Sequence, residues 1–177
     1  MEAINTQAAT PRVALRRVAP ADEEFLLDVY ASTRADEMAL VNWDDAAKRA
    51  FLRSQYDAQK MEYGAHYPDA QYDVILLDGG AAGRLWVSRD EAEIRLLDIA
   101  LLPWAQRQGV GSVLVRELIE EARSSGKKLR HMVFVLNEGA RRLYERLGFE
   151  VFEEVGGAYL HMEWRPTGDG DQLPPAS

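Results

Sequence analysis

One stretch of the chain brings together residue types suited to holding an anion. From Leu97 to Ser112 it reads LDIALLPWAQRQGVGS. An apolar run stops at Pro103, a short loop follows, and glycines at 109 and 111 open a long amphipathic segment. A helix start leaves several backbone N–H groups without partners and carries partial positive charge. Glycine removes side-chain bulk, so an anion can approach that backbone closely. Arg107 adds a full charge and Ser112 a hydroxyl. The chemistry these residues suit is the holding of a pyrophosphate. The same two glycines also fit a plain strand-to-helix turn. The P-loop pattern GxxxxGK[ST] does not occur, and GxGxxG is not completed after Gly111.

The elements that position this stretch follow from periodicity. Val13, Leu15 and Arg17 alternate with their neighbours as in a short strand. Pro20-Ala21-Asp22 opens a helix carrying Phe25, Leu26, Val29 and Tyr30 at helical spacing. A second helix starts near Asn42 or Asp44 and runs to about Met61. Tyr72–Leu77 and Gly83–Ser88 form a hairpin around the tight-turn signal Asp78-Gly79-Gly80. Glu93–Leu101 is a strand, Gly109–Ser125 a helix stopped by Gly126, and His131–Leu136 a strand. Glu138–Leu147 is a helix closed by Gly148, and Phe149–Glu154 with Tyr159–Trp164 is a terminal hairpin. The fold class is α+β, with a mixed, mostly antiparallel central sheet of about seven strands flanked by about four helices. One domain spans 12–165, between a loose N-terminus at 1–11 and a disordered tail at 166–177 rich in proline and glycine.

Composition narrows the classes. A chain of 177 residues suits one domain, which buries roughly 70% of its unfolded surface. Lys+Arg number 21 against 29 Asp+Glu, a net charge of −8, so nothing overall draws the chain to nucleic acid or an anionic membrane. Cysteine is absent, which excludes disulfides and thiolate nucleophiles. No metal site is expected, because His66, His131 and His161 lack ligand spacing. No apolar run or secretory leader stands out, and a cytoplasmic location is the expectation.

Gln106-Arg107-Gln108-Gly109-Val110-Gly111 resembles the Q/R-x-x-G-x-G/A motif of GNAT-type N-acetyltransferases. Leu97–Pro103 is similar to the strand with which those enzymes hold pantetheine. Asn137–Phe149 is similar to their later N-x-x-A-x-x-L-Y-x-x-x-G-F segment. The likeness is strong over about 93–164.

The resemblance implies an acyl-CoA N-acyltransferase fold, acetyl-CoA as co-substrate and an amine as acceptor, joined by direct transfer in a ternary complex. It implies that backbone amides of the Gln106, Arg107, Gln108, Gly109, Val110, Gly111 and Ser112 loop hold the pyrophosphate. Main-chain groups of Ile99, Ala100 and Leu101 face the pantetheine, and Asn137 approaches the pantetheine or the acceptor. Tyr144 resembles the family's general acid toward the departing thiolate, although its spacing also suits core packing.

The proton acceptor is less defined. The strand before Asn137 has no carboxylate, and His131 reads as an ordinary, partly exposed residue. Asp98 is the leading candidate base: it interrupts an apolar strand where the phase changes between Leu96 and Leu97, as at a β-bulge. A solvated strand face explains Asp98 equally, and Glu93, Glu37 or a water chain are further choices. Arg34, Asp36, Glu37, Met38, Trp43 and Asp44, with Tyr63, His66 and Tyr67, suit a cationic amine or simply a polar surface. A non-catalytic acyl-CoA sensor is the competing class. A homodimer is suggested by the terminal hairpin, with its strand edges and Trp164.

Overall fold

The computed structural model describes residues 12–166. The segment at 1–11 and all but the first residue of the 166–177 tail lie outside the described residues. In chain order the strands are β1 (Val13–Arg17), β2 (Gln71–Leu77), β3 (Gly80–Arg89), β4 (Glu93–Leu101), β5 (Lys128–Phe134), β6 (Glu150–Val155) and β7 (Tyr159–Trp164). The helices are α1 (Glu23–Ser32), α2 (Ala35–Ala39), α3 (Asp45–His66), α4 (Val110–Ser125) and α5 (Glu138–Arg146). Short 3-10 turns at Pro20–Asp22 and Pro103–Ala105 lead into α1 and follow β4. The extra helix relative to the sequence reading is α2, a single five-residue turn too short to show helical periodicity.

The seven strands form one sheet in the order β1-β2-β3-β4-β5-β7-β6. Every neighbouring pair is antiparallel except β4 and β5, which run parallel and are joined across one face by α4. The β2–β3 hairpin turns on Asp78 and Gly79, both at positive φ (51° and 86°), as a two-residue type I′ turn demands. The strand expected at 131–136 begins three residues earlier, because Lys128 pairs with β4 and Leu129 and Arg130 pair with both β4 and β7.

Two apolar layers hold the sheet. On one face Leu114, Val115, Leu118, Ile119 and Ala122 of α4 pack with Tyr144 and Leu147 against β3, β4, β5 and β7. Each large aliphatic side chain buried there contributes about 1.5–3 kcal/mol. On the other face Leu26, Leu27 and Tyr30 of α1 and Leu52 and Tyr56 of α3 cover Val74 and Trp86. Exposed ion pairs of Arg49 and Arg53 with Glu24 and Asp28 staple α3 to α1. Gly126 ends α4 at φ 68°, in the left-handed conformation that glycine adopts without strain.

Trp164 is not the exposed contact that the sequence suggested. It is 6% exposed and packs in the α4 layer, with the Arg123 guanidinium 5.6 Å from its ring. Of the terminal hairpin, β6 forms the open sheet edge, with Val151, Phe152 and Val155 exposed. Among the described residues, no helix is long and apolar enough to cross a membrane.

Gly83 fixes the spacing of β3 from the end of β4. A Cβ there would stand 2.1 Å from the Ala100 carbonyl oxygen and 2.9 Å from Leu101 Cδ2. Backbone cannot yield as a flexible side chain can, so Gly83→Ala is expected to lower the unfolding free energy by about 3 kcal/mol. Urea denaturation of the variant checks this, as a fall in the midpoint with little change in slope.

Candidate active site

The geometry begins where β4 and β5 part. Their parallel pairing runs from Glu93↔Lys128 to Leu96↔His131 and stops there. Beyond it β4 continues to Leu101 while β5 stays paired only with β7. The cause lies in β4. Trp86 of β3 is opposite Asp98 and Val87 is opposite Leu96, so Leu97 is an extra residue. This is the β-bulge expected from the phase change, and a bulge bends its strand and re-aims the residues after it.

The freed edge of β4 presents main-chain groups to the gap. The Leu102 N–H donates to Ala82 O on the β3 side at 2.8 Å. The carbonyl of the same peptide, Leu101 C=O, therefore points away from β3. It accepts from Gln106 Nε2 at 2.9 Å. Along a strand N–H and C=O groups alternate in direction, so Ile99 and Leu101 share the β5 side while Ala100 turns to β3. The main-chain groups of Ile99 and Leu101 thus face the gap left where β5 parts from β4. Ala100, expected beside them, instead turns its main-chain groups to β3, because alternate residues of a strand face opposite edges.

Past β4 the chain crosses the Pro103–Ala105 turn and enters α4. Arg107 and Gly109 both have positive φ, 60° and 79°. For arginine this conformation costs roughly 1–2 kcal/mol. Two side chains brace the loop: Gln106 on Leu101 O, and Gln108 on Trp104 O at 2.7 Å. Gly109 is the N-cap and supplies no side-chain acceptor. The N–H groups of Gly109, Val110, Gly111 and Ser112 are therefore the unpaired donors of the helix start. They line a cleft of about 400 Å³ together with Arg107. Gly139, Ala140 and Leu143 of α5 form the facing wall, with Arg146 beside them. A nest of amides, a helix positive end and two arginines suit a diphosphate.

Tyr144 and His131 meet at the fork. Their rings lie 4.7 Å apart between centroids. Tyr144 is buried, and that burial, followed by the nearby charge of Asp98, pushes its hydroxyl far above the usual phenol range. It stays protonated at neutral pH. His131 Nδ1 lies 2.8 Å from Leu96 O. A carbonyl can only accept, so Nδ1 carries the proton and Nε2 keeps a basic lone pair. Burial pulls the His131 pKa below its ordinary 6.5, against the raising effects of Leu96 O and then Asp98. The ring is neutral at pH 7.

Asp98 is held by Arg84, whose Nε is 2.6 Å from Asp98 Oδ2. Arg84 is buried under α1 and α3, and its guanidinium lies 4.4 Å from the Trp86 ring. Glu93 lies at the far end of β4 and pairs with Arg95 and Arg130. Glu37 is exposed and pairs with Arg34 at 3.1 Å. Asn137 caps α5, its Oδ1 accepting from Ala140 N at 3.1 Å. Asp44 caps α3 in the same way, accepting from Ala47 N at 2.7 Å. Trp43 packs edge-on to Phe51. Tyr63 donates to Leu97 O at 3.2 Å, and burial, followed by Asp98, pushes it up to about 12. His66 bonds the Glu62 carbonyl on its own helix.

Sequence reasoning passed over His131 and Arg84. A lone cation inside the apolar run 83–88 was the available signal for Arg84. His131 gave none, because its position opposite Leu96 is a fact of strand pairing.

Comparisons agree with this geometry. The family model described as the acetyltransferase (GNAT) family matches residues 34–149, more than half of the chain. The uncharacterized N-acetyltransferase CgeE of Bacillus subtilis is 34% identical over 99 residues, covering 50% of this chain and 38% of that protein. The uncharacterized N-acetyltransferase MJ1207 of Methanocaldococcus jannaschii is 38% identical over 82 residues, 44% of this chain and 35% of its own length. The chain thus spans well under half the length of these curated relatives. The crystal structure of PaiA N-acetyltransferase from Thermoplasma acidophilum, in complex with coenzyme A, superposes with a TM-score of 0.64 at 18% identity, covering 87% of this chain and 99% of that one. An acetyltransferase from Thermus thermophilus gives 0.63 at 17%, over 86% and 96%. At such identities the likeness is one of fold.

Two expectations test the site. Ser112→Glu places a carboxylate on the α4 N-terminus, which favours the helix by about 0.3–1 kcal/mol. The same charge repels a diphosphate, so affinity for inorganic pyrophosphate as a probe falls at least about tenfold while stability holds or rises, by calorimetry and urea unfolding. The second concerns pH. Because the folded His131 pKa is depressed, the unfolded chain binds its proton first as pH falls below about 6.5. Its contribution to stability is complete above that pH and is lost as pH falls toward the folded value. His131→Gln lacks this loss, so the stability gap between parent and variant shifts in the variant's favour between about pH 6.5 and 5 in a urea series.

Proposed function

The chain belongs to the acetyltransferase (GNAT) family, and from that premise we propose that it transfers the acetyl group of acetyl-CoA to a primary amine of a small molecule or peptide. The observation that carries this reading is the fork of β4 and β5 opening beside the uncapped start of α4. One feature holds a diphosphate and the other an extended thiol arm, at a distance the fold fixes. The coenzyme A complex of the fold relative supports the same use of the cleft.

The pyrophosphate lies on the amides from Arg107 to Ser112, Gln106 and Gln108 bracing that loop. Pantetheine runs along Ile99 and Leu101, adding to the sheet edge by main-chain hydrogen bonds. Asn137, at the mouth of the fork, keeps its amide Nδ2 for the pantetheine or the acceptor. Holding both reactants in register supplies much of the rate.

The neutral amine nitrogen attacks the thioester carbonyl carbon, and the C–N bond forms as charge moves to the carbonyl oxygen. A free N–H of Ile99 or Leu101 stabilises that oxyanion. His131 Nε2 takes the amine proton. In this reading it replaces Asp98, whose carboxylate is held by Arg84 and acts as a positioning charge. Collapse breaks the C–S bond, and Tyr144 gives the sulfur a hydrogen bond and then a proton. A free tyrosinate here would be more basic than a thiolate of ordinary pKa near 8.5. The two transfers are therefore coupled, the imidazolium of His131 returning its proton to Tyr144 Oη through solvent in the fork. The amine proton ends on the thiol, and no covalent acyl-enzyme is formed.

Calorimetric titration with acetyl-CoA tests the premise: saturable binding is expected, and silence at about millimolar ligand ends the reading. Tyr144→Phe should lower kcat by about 10²- to 10³-fold with acetyl-CoA affinity nearly intact. His131→Gln should lower kcat/KM similarly and remove the acid limb of its pH profile. Binding without thiol release across a broad amine panel would favour a non-catalytic acyl-CoA sensor.

A further inference from the structure

The bulge residue Leu97 sits between two peptide planes, and a side chain holds each of them. The plane before it carries the Leu96 carbonyl, 2.8 Å from His131 Nδ1 of β5. The plane after it carries the Leu97 carbonyl, which accepts from Tyr63 Oη of α3 at 3.2 Å. A planar peptide leaves each residue only two soft dihedrals, so anchoring the planes on both sides fixes the backbone of Leu97.

The two anchors come from different layers. His131 meets Tyr144, which is buried in the α4 layer. Tyr63 and Leu97 both pack in the α1–α3 layer on the other face of the sheet. A bulge leaves its extra residue out of the strand pairing, and a carbonyl withdrawn from water without a donor is costly. Tyr63 supplies a donor at that point.

Tyr63 is itself well fixed. It stands in the last turn of α3, and its ring meets Trp86 edge-on at 5.6 Å. Trp86 is the β3 residue opposite Asp98, directly beside the bulge. The phenol keeps its proton at neutral pH, so the hydroxyl is free to donate. The carbonyl that fixes the His131 tautomer therefore lies one peptide away from the carbonyl that Tyr63 holds.

We propose that Tyr63 is a positioning residue for His131: by holding the Leu97 carbonyl it keeps the bulge and the adjoining Leu96 carbonyl in place, and so keeps Nε2 as the bare nitrogen of the imidazole. The part this plays in turnover rests on the proposed acetyl transfer. The coupling of the Tyr63 hydroxyl to the His131 ring does not.

Tyr63→Phe keeps the ring on Trp86 and removes only the donor. The readout is the pair of imidazole nitrogen signals of His131 in a nitrogen–proton correlation spectrum of the full chain at neutral pH. The chain has three histidines, and His131→Gln identifies the pair. The parent is expected to show one tautomer, protonated at Nδ1. In Tyr63→Phe the two signals are expected to draw together as both tautomers become populated. Tyr72→Phe is the control: its ring also meets Trp86 edge-on, at 5.1 Å, and among the described residues its hydroxyl makes no bond to β4. It should leave the His131 signals in place. In acetyl transfer, kcat of Tyr63→Phe should fall about tenfold. Its affinity for inorganic pyrophosphate, held at the start of α4, should match the parent's. The proposal is overturned if the His131 signals of Tyr63→Phe match the parent's whatever turnover does, if the parent already shows both tautomers, if Tyr72→Phe moves the signals equally, or if kcat is unchanged. A parent that transfers no acetyl group ends the proposed reaction instead, and the spectra still decide the coupling.

Discussion

The parallel pairing of β4 with β5 lasts four residues, and the placement of every proposed reacting group follows from where it ends. A longer ladder would consume the main-chain groups of Ile99 and Leu101 and close the gap. The bulge at Leu97 stops it by bending β4 toward β3, where Gly83 leaves just enough room for the Ala100 carbonyl. The same break leaves His131 as the last residue of β5 paired with β4, with its ring turned onto Tyr144. One local irregularity thus makes a binding edge and sets a candidate acid and a candidate base at its root.

Several features near the fork are costly in isolation. Arg107 is left-handed, α4 begins without a side-chain cap, the Tyr144 phenol is withdrawn from water, and Arg84 is a buried cation. The two apolar layers offset these terms. The α4 layer is the larger, and it anchors both the helix whose start carries the amides and the tyrosine at the fork. The α1–α3 layer shields the Arg84–Asp98 pair, and a buried ion pair of this kind is weak evidence for stability and better evidence for positioning.

How far the sequence could be read varied with the range of the interaction. The α4 boundaries, the I′ turn at Asp78-Gly79 and the bulge after Leu96 all depend on neighbours within a few residues, and each was legible. The α2 turn was too short for periodicity to mark. The early start of β5 was missed because Lys128 and Arg130 look polar, yet Lys128 pairs with β4 and Arg130 with both β4 and β7, where it meets Glu163 at 2.6 Å. Trp164 looked like an interface residue because nothing near it in sequence shows that Arg123 and the α4 layer cover it.

By itself the sequence determined the order of the strands and the longer helices, the glycine-opened helix start and the strand that faces it, since glycine, proline and hydrophobic spacing act over short distances. It named Tyr144 and Asp98 but gave neither an environment. Only the tertiary structure decided that Asp98 is held by Arg84 and that Nε2 is the basic nitrogen of His131. These are pairings between residues far apart in the chain. Charge and proton location follow from what each group touches in space, and strand register, not local residue preference, sets those contacts.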